Sequence, residues 1–194
     1  MRDGAIYSPH LFFDFFLFLC YNKENKGRGN VIMEIIPYKI YTDGSSKGNG
    51  RENMFGGWGF IISYDGNIIH QGSGAEQGAT NQRMELQAVI EGIRNAQAYT
   101  KNRPSATYEI YSDSAYIINC YNDKWYVNWE KNGWRNSKKE DVRNADQWAQ
   151  IIPYFKNKRY TFHKVKGHTD NELNNKVDRL AQEAAEHLRL TGVG

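Results

Sequence analysis

Four acidic residues stand where an acid is costly or conspicuous. Asp43 follows the apolar, β-branched run 36–42, and Asp113 follows the short apolar run 108–112. Glu85 lies near the start of a stretch with helical periodicity, and Asp178 sits beside Val177 in the segment NNKVDRLA. An acid near an apolar face is unfavourable unless it is paired, hydrogen-bonded or metal-bound, and four carboxylates gathered together repel one another. A hard divalent cation removes both problems. Mg2+ takes oxygen ligands and keeps waters and phosphate oxygens in its remaining positions. Two such ions about 4 Å apart can activate a water and stabilise a leaving oxygen in phosphodiester hydrolysis. Singly, each acid has a plainer explanation. Asp43 could be a turn residue, Asp113 a helix cap, Glu85 a solvated helix position, and Asp178 a partner of Arg179 or Lys176. Only their joint placement argues for one site.

The elements that must position them follow from periodicity and turn chemistry. Residues 36–42 read as a strand ending at the turn-like Asp43-Gly44-Ser45-Ser46. Residues 56–64 and 67–75 read as two more strands, joined by the hairpin signal Asp65-Gly66. Residues 80–99 read as a helix, with Met84, Leu86, Ala88, Val89, Ile93 and Ala96 on its apolar face and Thr80 as its cap. A fourth strand is expected over 108–112, short helices over 115–119, 125–131 and 141–154, a fifth strand over 159–165, and a closing helix over 171–190. The order β-β-β-α-β-α-α-α-β-α predicts an α/β fold: a five-stranded mixed sheet, three strands antiparallel, flanked by helices.

Charge distribution says more than net charge. The chain of 194 residues is only +3 overall. Yet residues 124–166 hold 11 Lys/Arg against 4 Asp/Glu, and residues 34–123 hold 7 against 10. A basic segment beside an acidic one suits a protein that grips a polyanion in one place and processes it in another. Two cysteines, Cys20 and Cys120, give neither a disulfide framework nor a zinc spacing, so a reducing, cytoplasmic setting is expected.

Residues 1–33 read as an extension outside the domain at 34–194. Their apolar run LFFDFFLFLC (residues 11–20) is too short to span a membrane, which takes about 20 apolar residues. It also lacks the charge pattern and cleavage site of a signal peptide. The segment KENKGRG (residues 23–29) is compatible with purine-rich codons resembling a ribosome-binding site, and Met33 leads straight into the first strand. Translation is therefore expected to start at Met33.

The motifs YTDGSSKGNG, TNQRMELQA, YSDSAY and VKGHTDNELNNKVDRLA carry Asp43, Glu85, Asp113, and His168 with Asp178. In this order and spacing they resemble the type 1 ribonuclease H family over residues 36–190. The resemblance implies endonucleolytic hydrolysis of the RNA strand of RNA–DNA hybrids, leaving 5′-phosphate and 3′-hydroxyl ends. It implies Asp43, Glu85, Asp113 and Asp178 as ligands of two Mg2+ ions, with Mn2+ as a substitute. His168 would assist proton transfer or product departure, as suits an imidazole titrating near neutral pH. Asn49, Thr80 and Asn81 match substrate-side positions, and Gly44 and Asn174 match positions that support the site. The segment WYVNWEKNGWRNSKKEDVR (residues 125–143) resembles the basic protrusion of bacterial members. There Trp125, Trp129, Lys138 and Lys139 would hold the DNA strand, with one or two of the tryptophans in contact and the others in the core. A monomer acting on a hybrid, away from membranes, is expected. Two departures stand out: an inserted run at 50–55 after Gly48-Asn49, and Gln82 where a second Asn is common. The competing readings are another nuclease or transferase of the same fold, or an inactive hybrid-binding module.

Overall fold

The computed structural model describes residues 36–48, 54–166 and 171–193. The expectations for residues 1–33, for Asn49 and for His168 lie outside the described residues.

Alternation of apolar side chains and short connections give three antiparallel strands, β1 (Tyr38–Lys47), β2 (Phe55–Tyr64) and β3 (Asn67–Gln77). The β2–β3 turn places Asp65 and Gly66 at φ 48° and 76°, the left-handed pair a two-residue hairpin demands. β4 (Tyr108–Ser112) pairs parallel with β1, and β5 (Tyr160–Lys164) parallel with β4. The sheet order is β3-β2-β1-β4-β5, so β1 is central. The helices are α1 (Asn81–Tyr99), α2 (Ala115–Asn122), α3 (Trp125–Lys131), α4 (Ala145–Phe155) and α5 (Glu172–Thr191). The element order is the expected one.

Helices α1 and α5 pack on the sheet centre through alternate residues of β1. Ile40, Thr42 and Gly44 face α1, where Gly92 and Glu85 approach them. Tyr41 faces α5 and packs with Val177, Leu173 and Leu180. The larger core lies on the α1 side and extends under α2, α3 and α4, with Trp148 fully buried at its centre. No helix among the described residues is long and apolar enough to cross a membrane.

Two of the boundaries that differ from expectation bear on the site and the basic loop. β1 does not end at Thr42. It continues to Lys47 because Asp43 to Lys47 pair with Gly59 back to Phe55. Asp43 is therefore inside a strand rather than in a turn, and the polar DGSS run is held by its partner strand. Helix α4 starts at Ala145 instead of Asp141. Asp141 forms an isolated bridge with Arg135, and Asn144 turns left-handed just before the helix.

Candidate functional site

Asp43 occupies the centre of the sheet, 9% exposed, and shares the α5-facing side of β1 with Tyr41. Asp113 follows the last residue of the neighbouring parallel strand, in register beyond the pair Tyr41–Tyr111. Those two rings stack at 4.9 Å, and Tyr111 stacks on His163 of β5 at 5.1 Å. This aromatic row lies immediately behind the two acids. Glu85 arrives on the first turns of α1, capped by Thr80, whose hydroxyl accepts from the Arg83 N–H. Asp178 arrives on the second turn of α5, capped by Asn171, whose side-chain Oδ1 accepts from the Asn174 N–H at 3.1 Å.

Two close approaches bring these helices in. A methyl group on Gly44 would lie 2.2 Å from the Glu85 amide nitrogen, and one on Gly57 would lie 2.0 Å from the Ala181 carbonyl oxygen. The expected supporting role of Gly44 thus has a physical basis: only hydrogen fits between β1 and the start of α1.

The four acids act on one another. Burial pushes the Asp43 carboxyl up to about 8, followed by the charge of Asp113 and smaller effects of Asp178 and Glu85; the Gly44 N–H, donating at 2.7 Å, opposes the rise. Burial also raises Glu85, with Asp113 adding to it, while hydrogen bonds from Ser114 and Asn81 oppose. Asn81 Nδ2 donates to Glu85 Oε1 at 2.8 Å, and the Ser114 hydroxyl donates to Oε2. Gln182 Nε2 donates to Asp178 Oδ1 at 2.6 Å. Among the described residues no group of three or more Asp, Glu, His or Cys side chains is placed to hold a metal ion. A hard cation that keeps several waters does not require such a group. The all-oxygen donor set, around a carboxyl raised first by burial and then by neighbouring charge, fits Mg2+ or Mn2+.

A pH dependence follows. Asp43 has its pKa raised on folding from 3.8 to about 8, so its contribution to stability is full below about pH 4. That contribution is lost as pH rises through 8, where the carboxylate must ionise in place. In chelator, the melting temperature of wild type is expected to fall relative to Asp43→Asn across this window. At about 1.4 kcal/mol per pKa unit even part of the shift is measurable. Parallel curves for the two proteins would contradict the assigned burial and repulsion.

The basic segment folds as α3 followed by a loop held by its own side chains. Asn136 Oδ1 accepts from the N–H groups of Lys138 and Glu140, and Arg135 Nη1 donates to the Lys139 carbonyl. Lys138 and Lys139 are left exposed. Trp125 is half-buried and lines a cavity of about 660 Å³ with Gln82, Tyr116, Asn128, Arg135 and Arg143. Trp129 is 8% exposed, against Trp148 at 5.6 Å and Trp134 at 6.4 Å. It is thus a core residue with one edge on the cavity that Trp125 also lines. Thr80 is exposed and Asn174 is 2% exposed, its side-chain oxygen without a protein partner.

Sequence reading missed Ser114 and Gln182. Ser114 was legible as a cap of α2, but its second bond to Glu85 depends on how α1 and α2 meet. Gln182 stands four residues after Asp178, the spacing that puts two side chains on one helical face.

The model of the RNase H family matches residues 37–186. A ribonuclease H of Clostridium botulinum (strain Hall) is 41% identical over 151 residues, covering 78% of this chain and 97% of that protein. A ribonuclease H of Syntrophomonas wolfei is 44% identical over 149 residues, covering 77% and 96%. Among solved structures, LC9-RNase H1, described as a type 1 RNase H with the type 2 active-site motif, superposes with TM-score 0.62 at 27% identity, covering 79% of this chain and 74% of that one. The foamy-virus RNase H domain, at 23% identity and TM-score 0.62, shares the fold. With four motifs in order, a matching sheet and relatives spanned almost end to end, this chain belongs to the type 1 ribonuclease H family.

Proposed function

We propose that this protein hydrolyses the RNA strand of RNA–DNA hybrids, leaving 5′-phosphate and 3′-hydroxyl ends, with Asp43, Glu85, Asp113 and Asp178 holding two Mg2+ ions. The observation that carries the reading is the burial of Asp43 among three further acids: burial first, then the charge of Asp113, then smaller effects of Asp178 and Glu85 lift its carboxyl to about 8. When bound, Mg2+ supplies charge neutralisation and Lewis acidity at a phosphodiester; Mn2+ fits the same donors.

The chain's own residues hold and aim. Asn81 and Ser114 fix both oxygens of Glu85, and Gly44 N–H holds Asp43. His168, from its match to the family's loop histidine, moves a proton or releases product. Asn49, Thr80 and Asn81 offer small polar groups for phosphate and 2′-hydroxyl contacts. Trp125, beside the cavity, presents a ring to the DNA strand, while Lys138 and Lys139 meet its phosphates. Strand choice rests on sugars and helix shape, not on sequence. We read residues 34–194 as the catalytic domain and 1–33 as lying outside it, which agrees with a family match beginning at residue 37. A cytoplasmic monomer acting away from membranes completes the reading.

A labelled hybrid, an RNA duplex and a DNA duplex, each incubated with Mg2+, test the assignment. Cleavage of the hybrid's RNA alone supports it; cleavage of a DNA duplex favours another nuclease of the fold, and binding without cleavage favours an inactive module.

The basic loop gives a separate expectation. Lys138→Gln with Lys139→Asn keeps a residue that tolerates the φ of 65° at position 139. The pair should weaken hybrid binding and reduce the slope of log affinity against log salt by about 1 to 2. Unchanged affinity and slope in a salt titration would remove the loop from the binding surface.

A further inference from the structure

Asp178 is the member of the acid set carried at the far end of α5's second turn, and its backbone is firmly placed. Val177 and Ala181 on either side of it are fully buried, and Gly57 and Gly59 of β2 let α5 lie against the sheet. The orientation of the Asp178 side chain is a separate matter from the placement of its backbone. Gln182, one turn later on the same face, donates Nε2 to Asp178 Oδ1 at 2.6 Å.

A neutral amide is a particular choice of partner. It selects one rotamer of the carboxylate without cancelling its charge, whereas a Lys or Arg at this place would form an ion pair and compete with a cation. It engages one of the two oxygens of a carboxylate, a group with about four lone-pair sites in all. Groups that hold a ligand's outer oxygen orient it for the metal, and losing one typically costs about 10- to 100-fold in affinity.

We propose that Gln182 is a positioning residue for the cation site: its amide sets the orientation of Asp178 and thereby the affinity of the protein for divalent cations. This rests on the proposed assignment of Asp178 as a ligand. The test is calorimetric titration of Mg2+ into the full-length, substrate-free protein, comparing wild type with Gln182→Met, Gln182→Ala and Asp178→Asn. Methionine keeps length and removes the donor; alanine removes it without charge or bulk should methionine disturb packing, which melting in chelator reveals. Both Gln182 variants are expected to bind Mg2+ about tenfold more weakly. Their cleavage should recover as Mg2+ is raised, with KM for the hybrid unchanged, because a misaimed ligand yields to mass action and a damaged fold does not. If Asp178→Asn weakens Mg2+ binding and neither Gln182 variant does, the positioning role is overturned. If Asp178→Asn itself leaves binding unchanged, the assignment of Asp178 fails instead.

Discussion

Asp43→Asn is expected to lower hybrid cleavage by about a thousandfold or more, roughly 4 kcal/mol of lost transition-state stabilisation, while hybrid binding survives. The substitution preserves shape and removes charge from the most buried of the four acids, the one whose carboxyl the other three raise. The surfaces proposed to hold nucleic acid, the α3 loop and the Trp125 cavity, are built from other elements, so affinity should change little. The same variant should be more stable than wild type in chelator at pH 8, since it no longer places an ionised group among like charges. Loss of activity through misfolding would lower stability; loss of a cation ligand should raise it. Measuring kcat, hybrid affinity and melting temperature together separates the two. Cleavage at wild-type rates in Mg2+ would refute the carboxylate assignment.

Gly44→Ala is the second large effect. A methyl group there would lie 2.2 Å from the Glu85 nitrogen and 2.4 Å from the Met84 carbonyl carbon. Both are backbone atoms of α1, so no side-chain rotation relieves the clash. Either α1 lifts from β1 or β1 bends, and both moves carry Glu85 away from Asp43. Overpacking of this kind costs about 3 kcal/mol or more, a fall in melting temperature of about 6 to 12 °C for a domain this size. A displacement near 1 Å in a reacting constellation can cost about 100-fold in rate, so folded protein should cleave at under a hundredth of the wild-type rate. A variant that melts and cleaves like wild type would contradict the close approach of β1 and α1.

These two residues also mark what the chain revealed before its structure. The element order was legible because periodicity and turn chemistry are local, and the four acids were legible as a set because each follows a run that had to be a strand or a helix. The environment of Asp43 was not. A DGSS run has the composition of a turn, and only pairing with residues 55–59 of β2 makes it strand. The start of α4 was misplaced for a similar reason. Residues 141–144 carry a good helical pattern, but the bridge to Arg135 and the left-handed Asn144 belong to the preceding loop. That loop and its flanks hold four left-handed non-glycine residues, Lys124, Trp134, Lys139 and Asn144, of which only Asn144 is of a type that favours that region. Trp129 illustrates the limit of reading a surface from spacing. Residues 125 and 129 share a helix face and both reach the cavity, yet only Trp129 is sunk against Trp148, because burial is decided by what α3 meets.

The central claim is that strand choice follows the sugar. It is tested most directly by mapping scissile bonds on a duplex whose one strand is DNA and whose other strand is DNA interrupted by a short ribonucleotide tract. In Mg2+ the account predicts cuts confined to the tract, every product carrying a 5′-phosphate, and an uncut deoxy strand. Cuts in the deoxy strand, or products ending in a 3′-phosphate, would contradict it.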